Sequence, residues 1–245
     1  MPEPTAVLAP ERYRLLSGSA LKVIAVITML VDHVTALIIG FYPEFNEVLF
    51  TVNTTDVHWR FILRTVGRLA FPIFCFLLVE GFVHTRNRKS YGRNLALFAI
   101  ASEVPFDLAR SLKPWDPTYQ NVFFTLFIGY LGLCALEYLS DRLALQTVCV
   151  VGLAILSSVL LCDYGASGYA LILILYLLRQ HAVAKAALGC CVTSATWRAG
   201  LAFIPINLYN GTRGFIKGPV LKFVFYAFYP VHMLILWQVR LQLGV

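Results

Sequence analysis

An all-α, polytopic bundle of transmembrane helices is the fold class the sequence predicts, on three observations. Apolar residue types make up 59% of the 245 residues. Charged types make up only 13%, where a soluble domain carries about a quarter. Apolar runs of about 20 residues recur along the chain, the length a helix needs to cross about 30 Å of hydrocarbon.

Taken in order, residues 1–19 are polar and carry Pro2, Pro4, Pro10, Arg12 and Arg14. They read as a cytosolic lead-in to one transmembrane domain, 20–245. About eight spans follow, at 21–41, 61–83, 94–109, 121–139, 144–162, 166–179, 182–206 and 220–239. The third and sixth are short. The first run is too long for the apolar part of a signal peptide, and Gly40-Phe41-Tyr42-Pro43 is no cleavage site.

Lysine and arginine set the orientation. With the N-terminus inside, the cytosolic segments hold eleven basic residues and the outer loops six. The expected topology is therefore N-in, C-in, with loop 41–60 (Glu44, Glu47, Asp56) as an outward lip. The net charge of +7 is scattered between apolar runs rather than gathered in one patch, which argues against nucleic acid. Six cysteines lie in or beside apolar segments without CxxC spacing, and the five histidines include no two within a turn. Neither disulfides nor a metal site is expected.

Chemistry is expected where polar groups stand inside spans, because a charged side chain at mid-depth costs a few kcal/mol unless it is sheltered. Asp32 and His33 are adjacent, roughly 17 Å along the first run. Arg64 and Arg68 share a face of the second span, with Arg68 a natural partner for Asp32. Glu80 and His84 follow, again four apart. The third span carries Glu103 and Asp107 around Pro105, and the fourth Asn121 and Thr125. Between spans two and three, Arg86, Arg88, Lys89 and Arg93 form a cationic loop suited to phosphates. Late in the chain stand Tyr209-Asn210-Gly211, then Tyr226, Tyr229 and His232 as one stripe on the last helix.

Several of these stretches resemble the TraX family of membrane proteins: Met29-Leu30-Val31-Asp32-His33, Gly67-Arg68-Leu69-Ala70-Phe71-Pro72-Ile73-Phe74, Glu80-Gly81-Phe82-Val83-His84-Thr85-Arg86-Asn87, Ser102-Glu103-Val104-Pro105-Phe106-Asp107, Tyr209-Asn210-Gly211, and Phe225-Tyr226 with Tyr229-Pro230-Val231-His232. The similarity runs from about residue 20 to 240 and is weak between about 140 and 200. The resemblance implies a multi-pass acetyltransferase of the bacterial cytoplasmic (inner) membrane that uses acetyl-CoA and no metal. The family's founding activity acetylates a pilin N-terminus. For this chain the acceptor stays open: an amine or a hydroxyl, on a pilin-like N-terminus or a small molecule or sugar.

On that reading His33 is the general base, oriented by Asp32. Arg68 holds Asp32 or an anion. His84, Arg86, Arg88, Lys89 and Arg93 meet the CoA phosphates. His232 and Tyr229 carry a second proton or donate to the thioester oxygen. Arg64, Glu80, Glu103, Asp107, Asn121, Thr125, Tyr209, Asn210 and Tyr226 form a polar network around them. Membrane lipid surrounds the protein, and nothing in the sequence sets the oligomeric state. The main alternative is an ion-coupled transporter using buried Asp, His, Glu and Arg. It predicts two repeated halves, and the chain shows no such repeat.

Overall fold

The computed structural model describes residues 14–245; the lead-in up to residue 13 lies outside the described residues. Helices dominate. The first, α1 (Gly18–Leu37), is capped by Ser17, whose hydroxyl accepts from Ala20 N. Two 3₁₀ turns and a short β-hairpin, β1 (Phe50–Val52) with β2 (Thr55–Val57), fill loop 41–60. The second expected span is two helices, α2 (Trp59–Gly67) and α3 (Ala70–His84). Pro72 explains the break, since it cannot donate to the carbonyl of Arg68.

The chain continues through α4 (Arg88–Ser111), α5 (Val122–Tyr138), α6 (Leu143–Val159) and α7 (Gly165–Leu177). Next come α8 (Ala182–Val192), a 3₁₀ segment (Ser194–Ala202), the one-turn α9 (Phe203–Asn207) and α10 (Pro219–Leu243). Among the described residues, three stretches are long and apolar enough to cross a membrane: Gly18–Phe41, Trp59–His84 and Val220–Leu243. Four more helices are apolar but shorter.

The 182–206 stretch, expected as a span, is a re-entrant hairpin. Lys185 near its start and Tyr209 at its end both pack on the Phe76 ring, with Lys185 Nζ 5.3 Å from the ring centre and Tyr209's ring 5.2 Å away. Its tip reaches α2, where Arg198 stacks on Phe61 at 4.6 Å. The chain therefore returns to the end it left, and Leu16 pairs with Tyr209 there. Small residues allow the tight fold: a Cβ on Gly189 would collide with Phe203, and one on Gly200 would meet Cys190.

Because the chain turns back between α7 and α10, α10 runs parallel to α1, with Phe225 beside Lys22 at one end and Arg240 beside Phe41 at the other, and the C-terminus lies at the end opposite the start of α1. Arg240, near the end of α10, caps α4 by donating to Ala109 O at 2.6 Å and Arg110 O at 3.2 Å. The apolar core lies between α1, α3, α4, α5, α7 and α10, around Leu21, Ile73, Phe82, Leu133, Ile172 and Met233.

Candidate active site in the helix bundle

Neighbouring residues of a helix point about 100° apart, and that angle separates Asp32 from His33. Asp32 faces α2 and pairs with Arg64 (Oδ2 to Nη1, 2.6 Å). The same Nη1 reaches the Asp32 carbonyl at 3.2 Å. Gly67 permits this approach, since a Cβ there would collide with the carboxylate. Arg68, the partner expected from sequence, turns away to the Tyr164 hydroxyl, and Asp32 Oδ1 is buried without a hydrogen-bond partner among the described residues.

His33 faces α10. Its Nδ1 lies 2.8 Å from His232 Nε2, and His232 Nδ1 lies 2.8 Å from Phe228 O. A carbonyl only accepts, so His232 Nδ1 carries the hydrogen and its Nε2 the lone pair. His33 Nδ1 must then donate, which leaves the lone pair of His33 on Nε2. The two rings stack at 5.0 Å, and Tyr229 meets both edge-on at 5.8 and 5.5 Å. Asp32 therefore does not orient His33. His232 does, anchored by the backbone of its own helix.

Beside this pair the loops at the C-terminal end of the bundle contribute groups the sequence reading missed. Gln120 and Cys162 form a bridge between loops α4–α5 and α6–α7. Thr125, from α5, donates to Asp163 O, and Tyr119 Oη donates to Asp163 Oδ1 at 2.7 Å. Burial raises the Asp163 carboxyl to about 6, against the Tyr119 hydroxyl and Arg68, which hold it down. Tyr119 itself is pushed up by burial and by Asp163. A cavity of about 160 Å³ opens here, lined by Arg68, Phe71, Tyr119, Asp163 and Tyr164 among others.

Other candidates separate into two groups. Glu103 accepts from the side chain and backbone N–H of Asn121, whose amide also donates to Ala99 O at 2.8 Å. Asp107 accepts from Asp116 N at 2.9 Å, and Tyr226 stacks on Phe98 at 5.0 Å. These tie α4, α5 and α10 together behind the histidines. Glu80, His84, Tyr209, Asn210 and the cationic loop lie at the amino-terminal end. His84 Nδ1 donates to Glu80 O at 2.9 Å, and Asn210 holds its own loop through Thr212. Arg86, Lys89 and Arg93 are exposed. Arg88 is not free for phosphates, because it pairs with Glu137 at 2.7 Å and stacks on Phe82 at 4.4 Å.

Arg198, inside a stretch read only as apolar, is the main omission. Its signal was present in the sequence: a cation sixteen residues into an expected span, far from both of its ends. Asp163-Tyr164-Gly165, between the fifth and sixth expected spans, was readable only as a turn.

Comparison with known proteins agrees with this pattern of motifs. A family model described as TraX protein matches residues 17–240. The chain is 31% identical, over 93% of its own length and 97% of the relative's, to a protein of Dichelobacter nodosus named "Probable fimbrial assembly protein FimC, serogroup H1". No solved structure matches. The matched span takes in α1 with its Asp32–His33 dipeptide, the broken α2–α3 helix, and α10 with His232, and it places the chain in the TraX family.

Proposed function

We propose that the protein is an acetyltransferase of the bacterial cytoplasmic membrane that moves acetyl from cytosolic acetyl-CoA to an amine or hydroxyl acceptor. The observation that carries the reading is the hydrogen-bond relay from Phe228 O through His232 to His33. It fixes one tautomer and presents an imidazole lone pair inside a membrane bundle, which is what deprotonating a nucleophile at neutral pH requires. The name of the Dichelobacter relative supports a pilin-type subunit among the acceptors.

Bound acetyl-CoA would supply the thioester. His33 Nε2 takes the proton of the acceptor as its nitrogen or oxygen bonds to the acetyl carbon. His232 Nε2 accepts from His33 Nδ1 throughout and stabilises the imidazolium. His33 returns the proton to the departing sulfur as the carbon–sulfur bond breaks. Tyr229, edge-on to both rings, would supply a hydroxyl donor for the developing oxyanion. Exposed Arg86, Lys89 and Arg93 fit the CoA phosphates in charge and accessibility; Arg88 does not.

The distribution of basic residues over the two ends of the bundle supports one orientation. Among the described residues, Arg14, Lys22, Arg86, Arg88, Lys89, Arg93, Arg142, Arg179, Lys185, Arg213, Lys217 and Lys222 belong to the amino-terminal end. Arg60, Arg110, Lys113 and Arg240 belong to the other, and Arg64, Arg68 and Arg198 lie within the bundle. With those three set aside, twelve against four supports a cytosolic N-terminus.

One observation favours a transporter: a broken helix and a re-entrant hairpin meet at Arg198 and Thr65, as in carriers with discontinuous helices. Purified protein with labelled acetyl-CoA and a panel of amines and sugars separates the two. Acetyl transfer is expected, falling at least about 100-fold in His33→Ala and less in His232→Gln. Full transfer by a folded His33→Ala protein overturns the assignment of the base. Ion-coupled uptake without transfer favours the carrier.

A further inference from the structure

On the far side of Arg64 from Asp32 lies a second cavity, of about 330 Å³, lined by Asn46, His58, Arg60, Phe61, Arg64 and Arg198. Its parts come from the loop before the β-hairpin, the first turns of α2 and the tip of the re-entrant hairpin. Three guanidinium groups and an imidazole face it, and its lining includes no carboxylate. The one acid on this cluster, Asp32, binds Arg64 at 2.6 Å.

The other two arginines are held weakly and by neutral groups. Arg60 reaches Asn46 Oδ1 at 3.4 Å, and Arg198 reaches Thr65 Oγ1 at 3.5 Å while lying over Phe61. Arg198 has no acidic hydrogen-bond partner among the described residues. Like charges gathered around one chamber repel one another, the more so where Arg64 and Arg198 are partly buried. A guanidinium keeps its charge there and cannot escape by deprotonation. Such a cluster is stable when an anion bridges it, and paired guanidinium groups grip carboxylate or phosphate in a bidentate way.

We infer that this chamber is the seat of an acidic group, a carboxylate or phosphate, carried by the acceptor. The acceptor class is then an amine or alcohol with an anionic substituent, entering from the end of the bundle opposite the N-terminus. The inference rests on the acetyl-transfer reading for the word acceptor; the anion site itself does not. Geometry links the two, since Arg64 forms the chamber floor and holds Asp32, the neighbour of His33.

The test uses the full chain in phosphatidylcholine nanodiscs with inorganic phosphate as probe. Phosphate should raise the melting temperature saturably against chloride at equal ionic strength. Arg60→Gln/Arg198→Gln should lose that rise, Arg198→Lys should keep part of it, and Arg142→Gln, at the other end, should behave as wild type. A rise of equal size in the double variant, or none in the wild type, overturns the chamber. Stabilisation by phosphatidylglycerol nanodiscs alone, with no response to soluble phosphate, makes it a lipid headgroup seat and overturns the acceptor role. In acetyl transfer, phosphoethanolamine should show a KM at least about tenfold below that of ethanolamine, and the double variant should erase the difference. Equal KM values in the wild type overturn the acceptor role too. Phosphate binding with no transfer to any acceptor defeats the enzyme reading alone.

Discussion

Asp32 and His33 are joined by one peptide bond, yet they belong to different helix contacts. Asp32 locks α1 to α2 through Arg64, and His33 locks α1 to α10 through His232. Buried ion pairs tolerate joint loss better than single loss, because one uncompensated charge is left when a single partner goes. Asp32→Asn or Arg64→Gln alone should each cost on the order of 3 kcal/mol, and the double variant distinctly less, read as melting temperature in detergent. Equal or additive losses would contradict the pairing. Asp163 offers a pH-dependent counterpart. Its folded pKa of about 6 lies above the unfolded carboxylate value of about 4, so the folded state binds the proton more tightly. Its contribution is harmless below pH 4 and grows more unfavourable as pH rises through 6. Asp163→Asn keeps the oxygen that accepts from Tyr119 and should stabilise the protein more at pH 8 than at pH 5, by about 1.4 kcal/mol, read as a larger rise in melting temperature. A pH-independent difference would argue against a buried, titrating Asp163.

At the scale of elements, two interruptions shape the site. Pro72 breaks the second span after Arg68, and the 182–206 stretch turns back instead of crossing. Both put irregular backbone at membrane depth, which is tolerated where it faces protein or water rather than lipid. Thr65 and Phe61 of α2 meet Arg198 of the hairpin at that point, and both cavities open beside the contact. Sequence reading located Pro72 but attached no break to it. It also read 182–206 as a span because hydropathy is the same for a stretch that crosses and one that enters and returns.

For the whole molecule the consequence is a change in where the chain ends. The turn back within 182–206 puts loop 207–219 at the amino-terminal end of the bundle and the C-terminus at the other. Alkaline phosphatase fused after Asn87 or Asn210 should be inactive, and fused after Val245 active, since the enzyme matures only outside the cytoplasm. Activity at Asn210 with none at the C-terminus would restore the eight-span arrangement. The same change puts the cationic chamber and Arg240 at the end opposite the N-terminus, and leaves the exposed Arg86, Lys89 and Arg93 at the amino-terminal end, which is the cytosolic one on the proposed orientation. Donor and acceptor would then approach the histidine pair from opposite sides.

Composition and run length alone determined that this is a helical membrane protein, where most helices begin and end, and that Asp32, His33, Arg64, Arg68 and His232 stand where apolar residues would be cheaper. Those are properties of single residues and their neighbours along the chain, and hydrophobic burial acts on them locally. Which of these groups meet was left to tertiary structure. Whether an imidazole faces a carboxylate or another imidazole depends on the direction of a side chain around its helix axis and on which helix packs there. Arg198 and Asp163 join the site only because the hairpin tip and two loops converge, and no one-dimensional pattern encodes that convergence.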